Sequence, residues 1–591
     1  MDLPVNNVNL SLGAKALLWA LGTLLVTGLA ATAQPGDEQR PESPPRSDAG
    51  ALYRVANPDL RTLDRLRSGY DLWGLRRGEQ PYALIWAEPE AAARLAAEGL
   101  RVARDDAETA SVRAITRAMA AADAGGLRGT GTIPGFACYR TVQQTYSDLA
   151  ALAIAHPTLA RWVDIGDSWE KLHGPGAGFD LHALVLGNQS TPTPQPALVL
   201  IAAMHARELS TAELATRFAE HLIAGYGIDP DRTWLLDHRQ IHIIAQLNPD
   251  GRLRAEGGAL WRKNVDSGFC SNPGPRGVDL NRNSSFFWGG SGSSGQACSE
   301  IFRGPSAASE PETQAIELYL RQVFPDQRGS GMNDPAPATA EGVFISLHSF
   351  GELVLFPWEA TNIDSPNHLG LRTLGRKLGF SNGYTVCQDC LGTAAGTTVD
   401  QAYGEYGVAA YTFELGTSFF ESCTVFENEV LPGNLQALLY AAKAARRPYL
   451  APLGPEVLAP AVAPPTAIAG TAVTLTATAD DTRFAGGSSP EPSQAIAAVV
   501  YTVDDPPWTV PGTPMVAADG SLDSPIETVT ADLDTAALSA GRHLIWLVAE
   551  DADGNAGVPT AVLLEVLPTS VLFADGFESG DFSAWSATAG R

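Results

Sequence analysis

Between Ala197 and Ala203 the chain is apolar without interruption: Ala197-Leu198-Val199-Leu200-Ile201-Ala202-Ala203. An unbroken run of this length suits a strand covered on both faces, as in a parallel sheet flanked by helices. Met204-His205-Ala206-Arg207-Glu208 follows at once. Ser210-Thr211-Ala212-Glu213 then reads as a capping box opening an amphipathic helix from Thr211 to Ile223. Strand, turn and helix in that order set His205 and Glu208 just past the carboxyl end of a strand, where open α/β sheets bind ligands.

The same alternation runs through residues 136–450. Helical patterns cover Thr141 to Ala155, Glu310 to Val323 and Leu435 to Ala445. Apolar strands cover Ile241 to Leu247, Val343 to Leu347 and Ala409 to Leu415. This predicts an α/β sheet with helices on both faces. Residues 51–124 read as a small α+β unit, with a strand at Tyr82 to Trp86, a helix from Glu88 to Gly99 and a return strand at Arg101 to Arg104. The glycine-rich stretch 125–135 is a link open to proteolysis. Five prolines in 451–466 predict a stiff linker. Residues 467–568 carry strand patterns such as Ala472 to Ala477, Ala498 to Val503 and His543 to Val548, which suit an all-β immunoglobulin-like sandwich. Asp551-Ala552-Asp553-Gly554-Asn555 reads as a plain turn, and 569–591 is a turn-rich tail, a candidate sorting motif.

Lys15, the apolar run Ala16 to Leu29 and the small residues Ala31-Thr32-Ala33 form a secretory signal peptide over 1–33, followed by a polar, disordered 34–50. The alternative, an uncleaved anchor, needs about 20 apolar residues. A secreted chain favours pairing of its six cysteines. The formal charge of -26 argues against nucleic acid as a partner. No other stretch is apolar enough to span a bilayer.

His205, Glu208 and a third residue, His348, roughly 140 positions on, have the composition of a catalytic zinc site: two imidazoles, one carboxylate and a position left open. In a chain with ten histidines, His-x-x-Glu alone is not specific. Further polar elements follow in order. Asn248-Pro249-Asp250-Gly251 precedes Trp261-Arg262-Lys263, then Gly277-Val278-Asp279-Leu280-Asn281-Arg282-Asn283, then His348-Ser349-Phe350, then Thr412-Phe413-Glu414-Leu415. Each alone has a plain reading as a turn, a solvated charge or a satisfied core histidine. Glu414 resists it most, because a carboxylate on an apolar strand is costly without a partner.

Taken together and in order, these elements make 136–450 resemble the catalytic domain of the zinc carboxypeptidases related to pancreatic carboxypeptidase A and bacterial carboxypeptidase T. The resemblance implies a mixed eight-stranded sheet and Zn2+ held by His205, Glu208 and His348. It makes Asp279 the residue that orients His205, Glu414 the general base and Arg262 the stabiliser of the developing oxyanion. Asn281 and Arg282 would grip the substrate's terminal carboxylate, with Arg207 a second arginine nearer the cleft mouth. The pocket for the C-terminal side chain would be lined by Cys387, Leu391, Ala394, Val399 and Thr412, with Asp400 turned away by strand-like alternation. That lining predicts apolar or aromatic C-terminal residues.

By the same resemblance, 51–124 is a propeptide, an activating protease is a partner, and the β-rich C-terminus is an appendage of secreted bacterial members. The resemblance also implies a disulfide between Cys270 and Cys298. Cys387-Gln388-Asp389-Cys390 reads as a small loop bridge, with a catalytic redox pair as the rival reading, and Cys138 would then pair with Cys423; six cysteines allow 15 pairings, and the others stay open. Two positions depart from the family. Gly392 stands where a substrate-clamping tyrosine is usual, with Tyr384 a candidate substitute, and Phe350 replaces a second tyrosine. The expected function is a secreted metallocarboxypeptidase acting on peptide or protein C-termini. Rival readings are a zinc amidase acting on cell-wall peptides, and a non-catalytic surface binding module. Glu414 beside a complete ligand set argues against the last.

Overall fold

The computed structural model describes residues 50–569, except 77–79, 126–130, 175–177, 193, 271–275, 487–490 and 492. The expected signal peptide, residues 34–49, part of the 125–135 link and all but the first residue of the tail lie outside the described residues.

An eight-stranded mixed sheet forms the centre. Its spatial order is Thr385–Cys387, Leu353–Leu355, Ala409–Glu414, Val343–His348, Ala197–Ile201, Gln240–Ile244, Asp180–Leu186 and Ala160–Asp167. The four strands from Ala409–Glu414 to Gln240–Ile244 are parallel. Val343–His348 and Ala197–Ile201 are buried at every position, as their unbroken apolar runs require. Helices Val142–Ala155, Leu209–Gly225, Pro311–Val323 and Leu431–Ala444 begin and end close to the expected bounds.

One local expectation is corrected. The helix after the apolar strand begins at Leu209, with Glu208 at its N-cap. Ser210, the expected cap, therefore lies inside the helix, and the Thr211 hydroxyl accepts from Ala203 N at 3.1 Å and donates to Glu208 O at 2.9 Å. Glu213 instead accepts from the Arg140 guanidinium at 2.5 Å.

Before this domain, a four-stranded sheet in the order Asp71–Arg76, Tyr82–Ala87, Ala51–Ala56, Val102–Arg104 carries helices Leu60–Gly69, Pro89–Ala97 and Asp106–Ala124. After it, two sheets of four and five strands enclose a separate apolar core that includes Val473, Leu475, Val499, Ile545 and Leu547. The proline-rich stretch expected to be a linker is part of this sandwich: Glu456–Ala463 pairs with Ala472–Asp480. Of its prolines only Pro460 lies in that strand, where the register shifts between Leu458 and Ala461 and the strand is at a sheet edge, so its missing N–H donor costs little. Asp551 accepts from the N–H groups of Asp553 and Asn555 at 2.9 and 2.8 Å, which makes 551–555 the turn expected.

The sandwich packs against the helices that flank the eight-stranded sheet. Trp546, fully buried, meets Trp234 of helix Pro230–His238 at 5.0 Å and Trp508 at 5.4 Å. Asp231, on the same helix, accepts from Lys443 at 2.5 Å and from Thr560 at 3.0 Å. Disulfides join Cys270 to Cys298, as the resemblance implied, and Cys387 to Cys390 and Cys138 to Cys423, which selects the loop bridge over the redox pair.

Candidate metal and substrate site

His348 and Glu414 are the last residues of two adjacent parallel strands and stand opposite each other in register. His205 arrives from the next strand through a turn in which Ala203 takes φ 52°. A non-glycine residue there stores of order 1–3 kcal/mol of backbone strain, which the Thr211 bond to Ala203 N helps to hold.

Three buried side chains converge. His205 Nδ1 lies 2.9 Å from Glu208 Oε1, His348 Nδ1 lies 3.2 Å from Glu208 Oε2, and the two Nδ1 atoms are 3.0 Å apart. Their donor atoms all fall within 4.8 Å of one another. Tetrahedral zinc with bonds of about 2.0–2.2 Å sets its donors about 3.3 Å apart, so this set fits the ion. The far ring nitrogens are backed. His205 Nε2 meets Asp279 Oδ1 at 3.0 Å, and His348 Nε2 meets Ser346 Oγ at 2.9 Å. Such outer partners fix the ring orientation and leave Nδ1 to the metal.

The electrostatics agree with a cation site. Against the cost of burial, His205 and His348 hold the Glu208 carboxyl well below its usual range. Asp279 is likewise held well below its range, despite burial, by Arg262 and His205. Burial pushes His205 down, towards the neutral form a metal needs. Burial pushes Glu414 up to about 8, against the charges of His348 and Arg262.

Arg262 donates to Asp279 Oδ2 at 3.0 Å and stands 3.9 Å from Glu208. Arg282 is fixed by Gly292 O at 2.8 Å and Asn281 O at 2.5 Å, and Asn281 Oδ1 accepts from Thr398 N at 3.2 Å. His205, Glu208, Arg262, Asn281, Arg282, His348, Leu391, Ala394, Thr412 and Glu414 line one cleft.

Four sequence expectations need correction. Arg207 is not at an open mouth: it is fully buried, with Asp71 of the N-terminal unit accepting from it at 2.7 and 3.1 Å. Val399 is not on a strand but in helix Thr398–Tyr406, so the alternation argument for Asp400 fails. Asp400 is buried and accepts from the backbone N–H groups of Glu359 and Ala360 at 2.9 and 2.8 Å. The pocket is also not wholly apolar, because Glu359 lines it. Sequence reasoning missed Glu359. Its signal was position, four residues past the strand residue Leu355, which also lines the cleft. Tyr384 does not replace the missing tyrosine, since its hydroxyl accepts from Gly416 N at 3.0 Å and from Asn434 at 2.9 Å.

The N-terminal unit enters the same cleft. Asp64 accepts from Thr393 N at 2.7 Å, and Arg67 donates to Gly392 O and Thr393 O at 3.3 and 3.0 Å. Trp73 stands 5.0 Å from Phe419, with the Arg207 guanidinium 4.6 Å above that Phe419 ring. Gly74 is required here: a Cβ would come within 2.7 Å of the Phe350 ring.

The family model for zinc carboxypeptidases matches residues 145–428. Carboxypeptidase A1 of Rattus norvegicus is 27% identical over 312 residues, covering 50% of this chain and 67% of that protein. Carboxypeptidase A2 of Mus musculus is 28% identical over 320 residues, covering 52% and 69%. Among solved structures, the carboxypeptidase A from Helicoverpa armigera superposes with a TM-score of 0.53 at 22% identity, over 68% of this chain and 98% of that one. Thrombin activatable fibrinolysis inhibitor gives 0.51 at 20%, over 67% and 98%. The two structures share the fold. Through its segment 145–428 this chain belongs to the zinc carboxypeptidase family, as a metallocarboxypeptidase.

Proposed function

We propose that the protein is a secreted zymogen whose trimmed form removes single residues from the C-termini of peptides or proteins. The observation that carries this is Glu414 standing in register beside His348, at the rim of a three-donor set that fits zinc. When bound, zinc supplies a Lewis acid and lowers the proton affinity of groups around it. His205, Glu208 and His348 would hold it, and Asp279 keeps the His205 ring in place. Glu414 takes the proton of the attacking water and returns it to the leaving amine. Arg262 stabilises the charge that develops on the scissile carbonyl oxygen. Arg282, already pinned at two carbonyls, presents its remaining N–H groups to the terminal carboxylate beside Asn281.

In the full chain the N-terminal unit 51–124 acts as propeptide, and cleavage within 125–135 by an activating protease releases it. Arg207 then loses Asp71 and becomes available to a carboxylate. Among the described residues, no helix is long and apolar enough to cross a membrane.

The test is metal content together with hydrolysis. The protein should hold about one zinc per chain and, once trimmed, hydrolyse a blocked dipeptide. His348→Ala should lose both while keeping its circular dichroism. Full zinc retention in that variant would remove His348 from the site, and stoichiometric zinc without hydrolysis would leave the binding-module reading.

A further inference from the structure

Inside the cleft, Glu359 has no visible employment in the chemistry. Its side chain is 7% exposed, and Oε1 accepts from the Thr412 hydroxyl at 2.6 Å. Among the described residues, no lysine or arginine lies within ion-pair distance of it. The residue is also held on both sides of its backbone: its N–H donates to Asp400 at 2.9 Å and its carbonyl accepts from Ala394 N at 2.7 Å. The carboxylate is therefore fixed in the wall that Leu355, Leu391, Ala394 and Thr412 share. A buried carboxylate with one hydroxyl as partner is costly, and a cation brought by a ligand would relieve it.

A second observation points the same way. The N-terminal unit sends a guanidinium, Arg67, into this cleft. It meets two carbonyls, Gly392 O and Thr393 O; burial pushes the guanidinium down, to about 9, and the negative charges of Glu359 and Glu414 offset only part of that. The cations Arg282 and Arg262 oppose it. In the trimmed enzyme that guanidinium is gone, while Glu359 and the carbonyls remain.

We infer that Glu359 is the residue that sets specificity, and that the pocket selects peptides ending in arginine or lysine rather than the apolar termini expected from the sequence. The terminal carboxylate goes to Arg282 and Asn281, and the basic side chain reaches Glu359, with Gly392 O and Thr393 O as further acceptors. The geometry suits a guanidinium, which distributes several donors, slightly better than an ammonium. The inference rests on reading the cleft as that of a carboxypeptidase.

The experiment uses the full chain, folded and then nicked within 125–135, loaded with zinc. Peptides of the form benzoyl-Gly-X, with X as Arg, Lys, Phe, Leu or Glu, are compared by kcat/KM. Arg and Lys should exceed Phe and Leu by about tenfold or more, and Glu359→Gln should abolish that advantage while moving Phe and Leu by less than about threefold. A wild-type preference for Phe or Leu overturns the inference, as does a variant that slows all five substrates alike. Binding of Nα-acetyl-arginine against Nα-acetyl-phenylalanine, followed by calorimetry, needs no turnover and no variant. Tighter acetyl-arginine with no hydrolysis of any peptide would sink the hydrolase reading and keep the pocket assignment. Tighter acetyl-phenylalanine, or no binding of either, would sink the pocket assignment whatever the hydrolysis.

Discussion

Replacing Asp71 by alanine tests whether the N-terminal unit is a latch. Asp71 is 7% exposed and Arg207 is fully buried, so their two bonds of 2.7 and 3.1 Å are shielded from water. Asp71 also accepts from Trp73 Nε1 at 2.7 Å. Removing one partner of a buried pair costs about 3–5 kcal/mol, because the other charge is left desolvated. The exposed pair Arg65–Glu98 lies within the same unit, with side chains nearly half accessible. Such pairs are worth only about 0–1 kcal/mol. If the Asp71 loss falls on docking, and each 1.4 kcal/mol is about tenfold, the open population rises by about 10²-fold to 4,000-fold. The assay is hydrolysis by intact, un-nicked chain, with integrity checked on a gel, divided by the rate of the trimmed form. Asp71→Ala should raise that ratio by the same factor, up to the ceiling of the trimmed enzyme, while Glu98→Ala should leave it unchanged. Trimmed Asp71→Ala and trimmed wild type should match. An intact Asp71→Ala precursor as silent as wild type would refute the latch.

Three further outcomes are expected. Glu414→Gln keeps the shape of the side chain but cannot take the water's proton, so kcat should fall by about 10²–10⁴-fold or more with zinc content unchanged; near-native kcat would remove Glu414 as the base. Gly392→Tyr places a side chain at φ 76°, where its Cβ would meet Asp64 Oδ1 at 2.5 Å. That should loosen the N-terminal unit and raise precursor activity rather than simply improve KM, and an unchanged precursor would show that the loop moves aside. Glu312, fully buried, is pushed up by burial to about 8, from 4.5. Between those values the fold holds a proton that the unfolded chain has lost, so this group's contribution falls as pH rises, by up to about 1.4 kcal/mol per unit. Glu312→Gln should flatten the decline in Tm from pH 5 to 8, and a parallel profile would mean that Glu312 is ionised in the fold.

Much of this was legible before any coordinates. Unbroken apolar runs such as Ala197 to Ala203 located the buried strands because no other environment suits them. The cluster of His205, Glu208 and His348 is legible because two imidazoles and a carboxylate at strand ends are the donor types a metal site calls for. What escaped had other causes. Ser210 to Glu213 matches a capping box, but tertiary packing gave Thr211 to Ala203 and Glu213 to Arg140. Prolines between 451 and 466 signalled a linker, yet an edge strand accepts Pro460. Strand-like alternation from Val399 to Asp400 fails because Thr397 caps a helix there by accepting from Asp400 N at 3.3 Å. Glu359 was invisible because its place in the cleft depends on Asp400 and Thr412, 41 and 53 residues away, and no local pattern encodes that.

The contact of Trp546 with Trp234 changes how the molecule can be cut. Trp546, Val558 and Ala561 belong to the same apolar cluster as the catalytic sheet. A stop codon placed near residue 455 would strip the cover from Trp234 and leave Lys377 and Lys443 without Glu456 and Thr560. The shortened polypeptide would present a wet aromatic face and tend to clump. Calorimetry of the whole protein should accordingly record the catalytic region and the sandwich melting in a single transition, because neither can come apart without unwrapping the other. The sandwich is thus a wall of the enzyme's own interior, and a replacement module grafted in its place would have to supply an indole at the position of Trp546.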